Sequence, residues 1–204
     1  ELISTIKSLE YILKFIIQSR VLLMQQGGGS DSNSFKGELL KFFNLINNIL
    51  KNTQQQYVGA QTTAIRKLAP LFDLLLKIFT PVELSDLVVR FIGSINYNEN
   101  QKNLNMEKLG LIQLLVSGDL FVYPEARNVL LQPIIAQLQL HLRAKFDEDL
   151  SPLIFNTLHR MMDCLQTKAT GDTFFEQQLV TLLPDLLTSA RVEVQDELLR
   201  YDIV

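Results

Sequence analysis

A chain of 204 residues that is 47% hydrophobic and 20% charged fits one globular unit or one stretch of a repeat array. Its formal net charge of -3 argues against nucleic acid as a partner, because that binding needs a concentrated basic surface. A single cysteine, Cys164, excludes an internal disulfide framework and suits a reducing compartment, and no N-x-S/T sequon points to a secreted glycoprotein.

Leu2, Ile6, Leu9, Leu13, Ile16 and Ile17 recur at helical spacing, so residues 1–26 read as one long helix. Its Tyr11–Met24 stretch is the most membrane-like in the chain. Lys14, Gln18 and Arg20 interrupt it, and it falls short of the roughly 20 apolar residues a span requires, so it is expected to be a packed amphipathic helix. Gln26–Ser34, with three glycines, is expected to be a loop. It lacks the G-x-x-x-x-G-K-[ST] frame of a phosphate loop, since Lys36 is followed by Gly37. A second helix is expected over Phe35–Asn52 and a third over Ala60–Ala69, with Pro70 beginning or kinking another over Leu71–Phe79. Thr80-Pro81-Val82-Glu83 is a capping box with proline at the first helical position, opening a helix to about Ile95. Asn96–Asn105 is expected to be a surface turn.

Met106–Lys145 reads as a helical hairpin, broken at Ser117-Gly118-Asp119 and resumed at Tyr123-Pro124-Glu125. Asp147 to Pro152 leads into a helix across Leu153–Leu165, and Gly171-Asp172-Thr173 turns the chain into Phe174–Leu187, with Pro184 expected at a kink or in the final turn. Val192–Val204 is expected to be a further helix lacking its cover. The openings at Pro81, Pro124 and Asp172 are spaced 43 and 48 residues apart. That is near the roughly 40–47 residues of HEAT and armadillo repeats. The expected fold is all-α: an α-solenoid of armadillo/HEAT-like hairpins at roughly 1–52, 57–95, 104–145 and 150–188, followed by 192–204. Beginning at Glu1 without a leader, the chain is expected to be a segment of something longer.

The residues whose types can carry chemistry are expected in simpler structural roles. His159 and Asp163 form an i, i+4 pair, but Cys164 points about 140° away from His159 on a straight helix, so the three do not form a nucleophile with its base. Asp147, Glu148 and Asp149 precede a helix, where acids suit the dipole, and Leu150 and Pro152 break any calcium-loop pattern. Arg66-Lys67 with Lys36 and Lys41 is a candidate basic patch for an anionic lipid or acidic partner. Phe42, Phe43, Phe72, Phe79, Phe174 and Phe175 are expected in the core. Catalytic, cofactor-binding and metal-binding residues are therefore all expected to be none, with no cofactor.

Leu2-Ile3-Ser4-Thr5-Ile6-Lys7-Ser8-Leu9-Glu10-Tyr11-Ile12-Leu13-Lys14-Phe15-Ile16-Ile17-Gln18-Ser19-Arg20 resembles a helix of the dedicator-of-cytokinesis (DOCK) proteins, "tLkaLeYifKFIvrSR". Ser117–Pro133 resembles their "sdLFt.pe.R..LLP" segment, and Val82-Glu83-Leu84-Ser85 resembles their "pkELs" helix start. The resemblance implies part of the helical armadillo-like region between a C2-like lipid-binding domain and the catalytic exchange domain. It further implies a cytoplasmic protein of Rac GTPase signalling, cytoskeleton and cell migration, recruited to the plasma membrane through another domain. Family members release GDP from Rac-type GTPases, and several work with an engulfment-and-motility (ELMO) scaffold. The family's catalytic residues lie in another domain, and none is carried onto this chain. The implied role is a non-catalytic scaffold. The alternative is an independent HEAT/armadillo adaptor, for which a ladder of exposed asparagines or tryptophans would speak; the chain has no tryptophan, and its asparagines gather in loops.

Overall fold

Apolar residues three or four apart, punctuated by prolines at helix starts, produce a chain of helices with two-sided packing. The computed structural model describes residues 1–26, 32–144 and 149–191. Its helices are α1 (Leu2–Gln25), α2 (Ser32–Leu50), α3 (Val58–Leu68), α4 (Phe72–Leu75), α5 (Pro81–Gly93), α6 (Lys102–Ser117), α7 (Pro124–Arg143), α8 (Ser151–Thr167) and α9 (Thr173–Val180). Residues 183–191 are also helical, and short 3₁₀ turns occupy Gln55–Tyr57, Ala69–Leu71 and Asp119–Val122.

Two layers result. In one, α1 packs on α3, α3 on α6 and α6 on α8; in the other, α2 packs on α5, α5 on α7 and α7 on α9. Each helix thus meets its neighbours one step along the stack, as in a solenoid. The all-α helical-repeat architecture read from the sequence is the one observed.

Polar ties between successive steps recur at a narrow range of sequence separations. Lys36 Nζ pairs with Glu83 at 2.7 Å, 47 residues on; Arg127 reaches Asp172, 45 on; Arg143 reaches Asp185, 42 on; and Arg66 pairs with Glu107, 41 on. Neutral ties follow the same spacing, with Asn96 donating to the Lys51 carbonyl and Gln139 to the Thr181 carbonyl. Within the stack, Gln61 of α3 donates to the carbonyls of Ile49, Leu50 and Asn52, so one buried amide collects acceptors left open at the end of α2.

The capping box is present as expected. Thr80 Oγ1 accepts from the Glu83 N–H at 3.3 Å, and the Thr80 N–H donates to Glu83 Oε2 at 2.8 Å. Thr80→Ala should lower stability by about 1 kcal/mol, read as an earlier urea midpoint at unchanged slope.

Several sequence expectations are corrected. The helix expected over Leu71–Phe79 is a single α-turn, Phe72–Leu75; the N–H groups of Lys77 and Ile78 turn to carbonyls three residues back, which tightens the backbone before Thr80. Asn96–Asn105 is not wholly a surface turn: α6 begins at Lys102, and Asn105 is buried with its amide nitrogen on the Asn98 carbonyl. α2 starts at Ser32, inside the expected loop. The break before 183–191 falls at Thr181-Leu182, so Pro184 stands in the first turn of a new helical stretch, where its missing N–H is tolerated. Phe174 is 36% exposed, unlike Phe43, Phe72, Phe79 and Phe175, which are buried. Gly27–Gly29, Asp147, Glu148 and Val192–Val204 lie outside the described residues.

Candidate functional site

Polar side chains standing in core register on α6 and α7 build the most distinctive site. On α6, Asn105, Lys108, Leu109 and Ile112 share one face at three-to-four-residue spacing, and all are buried. Lys108 Nζ donates to the Ile95 carbonyl at 2.6 Å, and Asn105 donates to that of Asn98, so α6 fastens the loop after α5 from beneath. On α7, His141 is buried and meets the ring of Tyr97 edge-on, with centroids 5.0 Å apart. Both nitrogens of His141 and Oδ1 of Asn105 are buried without a hydrogen-bond partner. Beside them lies a pocket of about 200 Å³ edged by Tyr97, Asn105, His141, Leu150, Ser151 and Ser189.

Burial sets the charge states here. It lowers the Lys108 ammonium to about 8, and burial followed by repulsion from Lys108 lowers the His141 imidazole to about 4. A folded value below the unfolded one near 6.5 means that stability from neutral His141 is complete above pH 6.5. It is lost as pH falls toward 4. We expect about 2 kcal/mol of destabilisation across that window, measured by urea unfolding at stepped pH, and a visibly flatter profile for His141→Phe.

The residues singled out in the sequence do not converge on this pocket. His159 Nε2 sits 3.6 Å from Asp163 Oδ2 on the exposed side of α8, whereas Cys164 faces inward with its thiol pushed up by burial. Asp149 pairs with Lys102, which edges the pocket. The four cations of the candidate basic patch are paired: Lys36 with Glu83, Lys41 with Glu38, Arg66 with Glu107 and Lys67 with Glu10. Its cations already have carboxylate partners, so little free positive field remains for a lipid or acidic protein. Among the described residues, no three His, Cys, Asp or Glu side chains gather as a metal set, and no helix is long and apolar enough to cross a membrane.

Lys108, Asn105 and the buried Arg127 were missed as site residues in the sequence. Their available signal was register: each is a polar residue at an apolar stripe position of its helix.

Two apolar surfaces complete the inventory. An open groove of about 620 Å³ runs between α8 and 183–191, walled by Phe155, Leu158, Met162, Leu183 and Leu187. At the other end, α1 exposes Tyr11, Ile12, Phe15, Leu22 and Leu23. Exposed apolar faces of this size are typical of interaction surfaces and ligand-binding grooves.

Residues 1–197 match the family described as the dedicator of cytokinesis (DOCK) TPR region. Dedicator of cytokinesis protein 3 of Mus musculus is 28% identical over 141 residues, covering 67% of this chain and 7% of that protein; the Homo sapiens protein of that name gives the same figures. Dedicator of cytokinesis protein 4 of Mus musculus is 25% identical over 187 residues, covering 89% of this chain and 9% of that protein. The chain therefore spans only about a tenth of the length of these relatives. No solved structure matches it. With a family match across nearly its whole length and a two-layer helical stack of the kind such a region requires, the chain belongs to the dedicator of cytokinesis family, within its TPR region.

Proposed function

We propose that the chain is a non-catalytic helical scaffold, one continuous repeat segment of a guanine nucleotide exchange factor for Rac-family GTPases. In this reading it fixes the distance and angle between a membrane-binding domain and the exchange domain, and it offers a face to a partner such as an ELMO scaffold. The GTPase is engaged through another domain, and so is the membrane. The parent protein is cytoplasmic and recruited to the plasma membrane.

What carries the proposal is the stack itself. Each layer runs unbroken from one end to the other, and charged ties join successive steps, which makes a stiff spacer. Family membership supplies the exchange-factor context.

Nucleotide release from fluorescently loaded Rac-type GTPases tests it. The full-length protein should accelerate release, and this chain alone should leave it at the intrinsic rate. Acceleration by the chain alone would place catalysis within it and end the scaffold reading; no acceleration by either would end the Rac assignment.

A further inference from the structure

The solvent side of α1 has the composition of a helix interface. Ile6, Leu13 and Ile17 are its buried line, and Phe15 projects about 180° from their mean direction at 100° per residue. Along that opposite side, Ser4, Ser8, Tyr11, Phe15, Ser19 and Leu22 follow at steps of four, three, four, four and three residues. This is the spacing of a packing seam, with small residues where a neighbouring helix would approach closely and large ones between them. Tyr11, Phe15 and Leu22 are 69%, 71% and 58% exposed, and the Ser8 hydroxyl is spent on the Ser4 carbonyl at 3.2 Å.

The occupant can be read from the rest of the layer. The α1–α3 interface is edged by the ion pair Lys67–Glu10, and the α3–α6 interface by Arg66–Glu107. Lys7 and Lys14 edge the free side of α1, seven residues apart and in no ion pair among the described residues, and the sole acid within α1, Glu10, is committed to Lys67. The relatives are roughly ten times as long as this chain, so ample polypeptide exists to supply another layer.

We propose that the outward face of α1 seats a further amphipathic helix of the same polypeptide, apolar along its contact line and acidic along the edge that meets Lys7 and Lys14. This rests on the chain being one stretch of a longer repeat and not on the identity of the GTPase.

Hydroxyl-radical footprinting of the full-length polypeptide, read by mass spectrometry, tests the seam. Enclosed side chains are shielded, so Tyr11 and Phe15 should label about tenfold more slowly than Tyr123 on the connection into α7. Equal labelling overturns the proposal. So does protection that disappears on dilution, which assigns the face to a second copy, and protection that needs vesicles of phosphatidylserine and phosphatidylcholine, which assigns it to a membrane. Lys7→Glu combined with Lys14→Glu should raise Tyr11 labelling about threefold by opposing the acidic edge; unchanged labelling refutes that edge. Footprinting and nucleotide release are scored separately, so loss of the seam with retained Rac exchange tells the two readings apart.

Discussion

Arg127→Ala is expected to remove about 3–5 kcal/mol of stability, because it breaks a buried ion pair from one side. The Arg127 side chain is only 2% exposed. Its guanidinium donates to the carbonyls of Phe121 and Val122 at 3.1 and 3.3 Å, and to Asp172 Oδ2 from Nε at 3.2 Å and Nη2 at 2.8 Å. It also lies 5.6 Å from the centre of the Phe175 ring. Asp172 uses its other oxygen to accept the Phe175 N–H at 3.0 Å, capping α9. Alanine at 127 would strand two carbonyls and a carboxylate together, whereas Arg127→Lys restores the charge without the planar fork and should recover only part of the loss. Burial pushes the Asp172 carboxyl up, but the Phe175 N–H and the Arg127 guanidinium outweigh it and hold it below the usual carboxylate range. Its contribution is therefore present above the unfolded value of about 4 and is lost as pH falls through the lower folded one. Urea midpoints at pH 7 and pH 3 read both effects: Arg127→Ala should be much weaker at pH 7, and Asp172→Asn should lessen the acid-side decline.

Phe91→Ala should cost about 4 kcal/mol, and the thermal midpoint should drop by about 8–16 °C for a domain of this size. Phe91 on α5 is fully buried, with its ring centre 5.5 Å from that of Phe72 on α4 and 6.3 Å from that of Phe43 on α2. Phe43 and Phe72 are themselves 6.0 Å apart, so the three rings join three helices at one point. Truncation opens a cavity in that junction and removes two near-perpendicular ring contacts. Phe91→Leu keeps most of the volume and should lose less than half as much, which calorimetry on the pair of variants checks.

Local chemistry was the most readable part of the fold. Thr80, Pro81 and Glu83 lie within four residues and define their own geometry, and Pro124 opens α7 for the same reason. Asp172 and Gly171 likewise mark their turn, with Gly171 at a φ of +81° that favours glycine. What could not be read depends on partners outside the local stretch, 45 positions away for Arg127 and 13 for Lys108. The burial of Arg127 is understandable only once Asp172 is beside it, and Lys108 looks like a solvent-facing lysine until the carbonyl of Ile95 is overhead. The partners of Arg66 and Lys36 were out of reach for the same reason: Glu107 and Glu83 arrive from the next step of the stack. The ties at 41–47 residues sit closer to HEAT and armadillo spacing than to the 34 of a tetratricopeptide unit, although all three belong to the same hairpin-stacking class.

Because those ties connect only adjacent steps, the interfaces bear load in series. Any rotation yielded at one interface would add to that of the next, so a spacer that holds its two ends at a fixed angle has to be rigid at every joint. Stiffness against such bending is then set by the weakest joint, and strengthening one ion pair would alter the reach of the whole stack very little unless it fell at that joint.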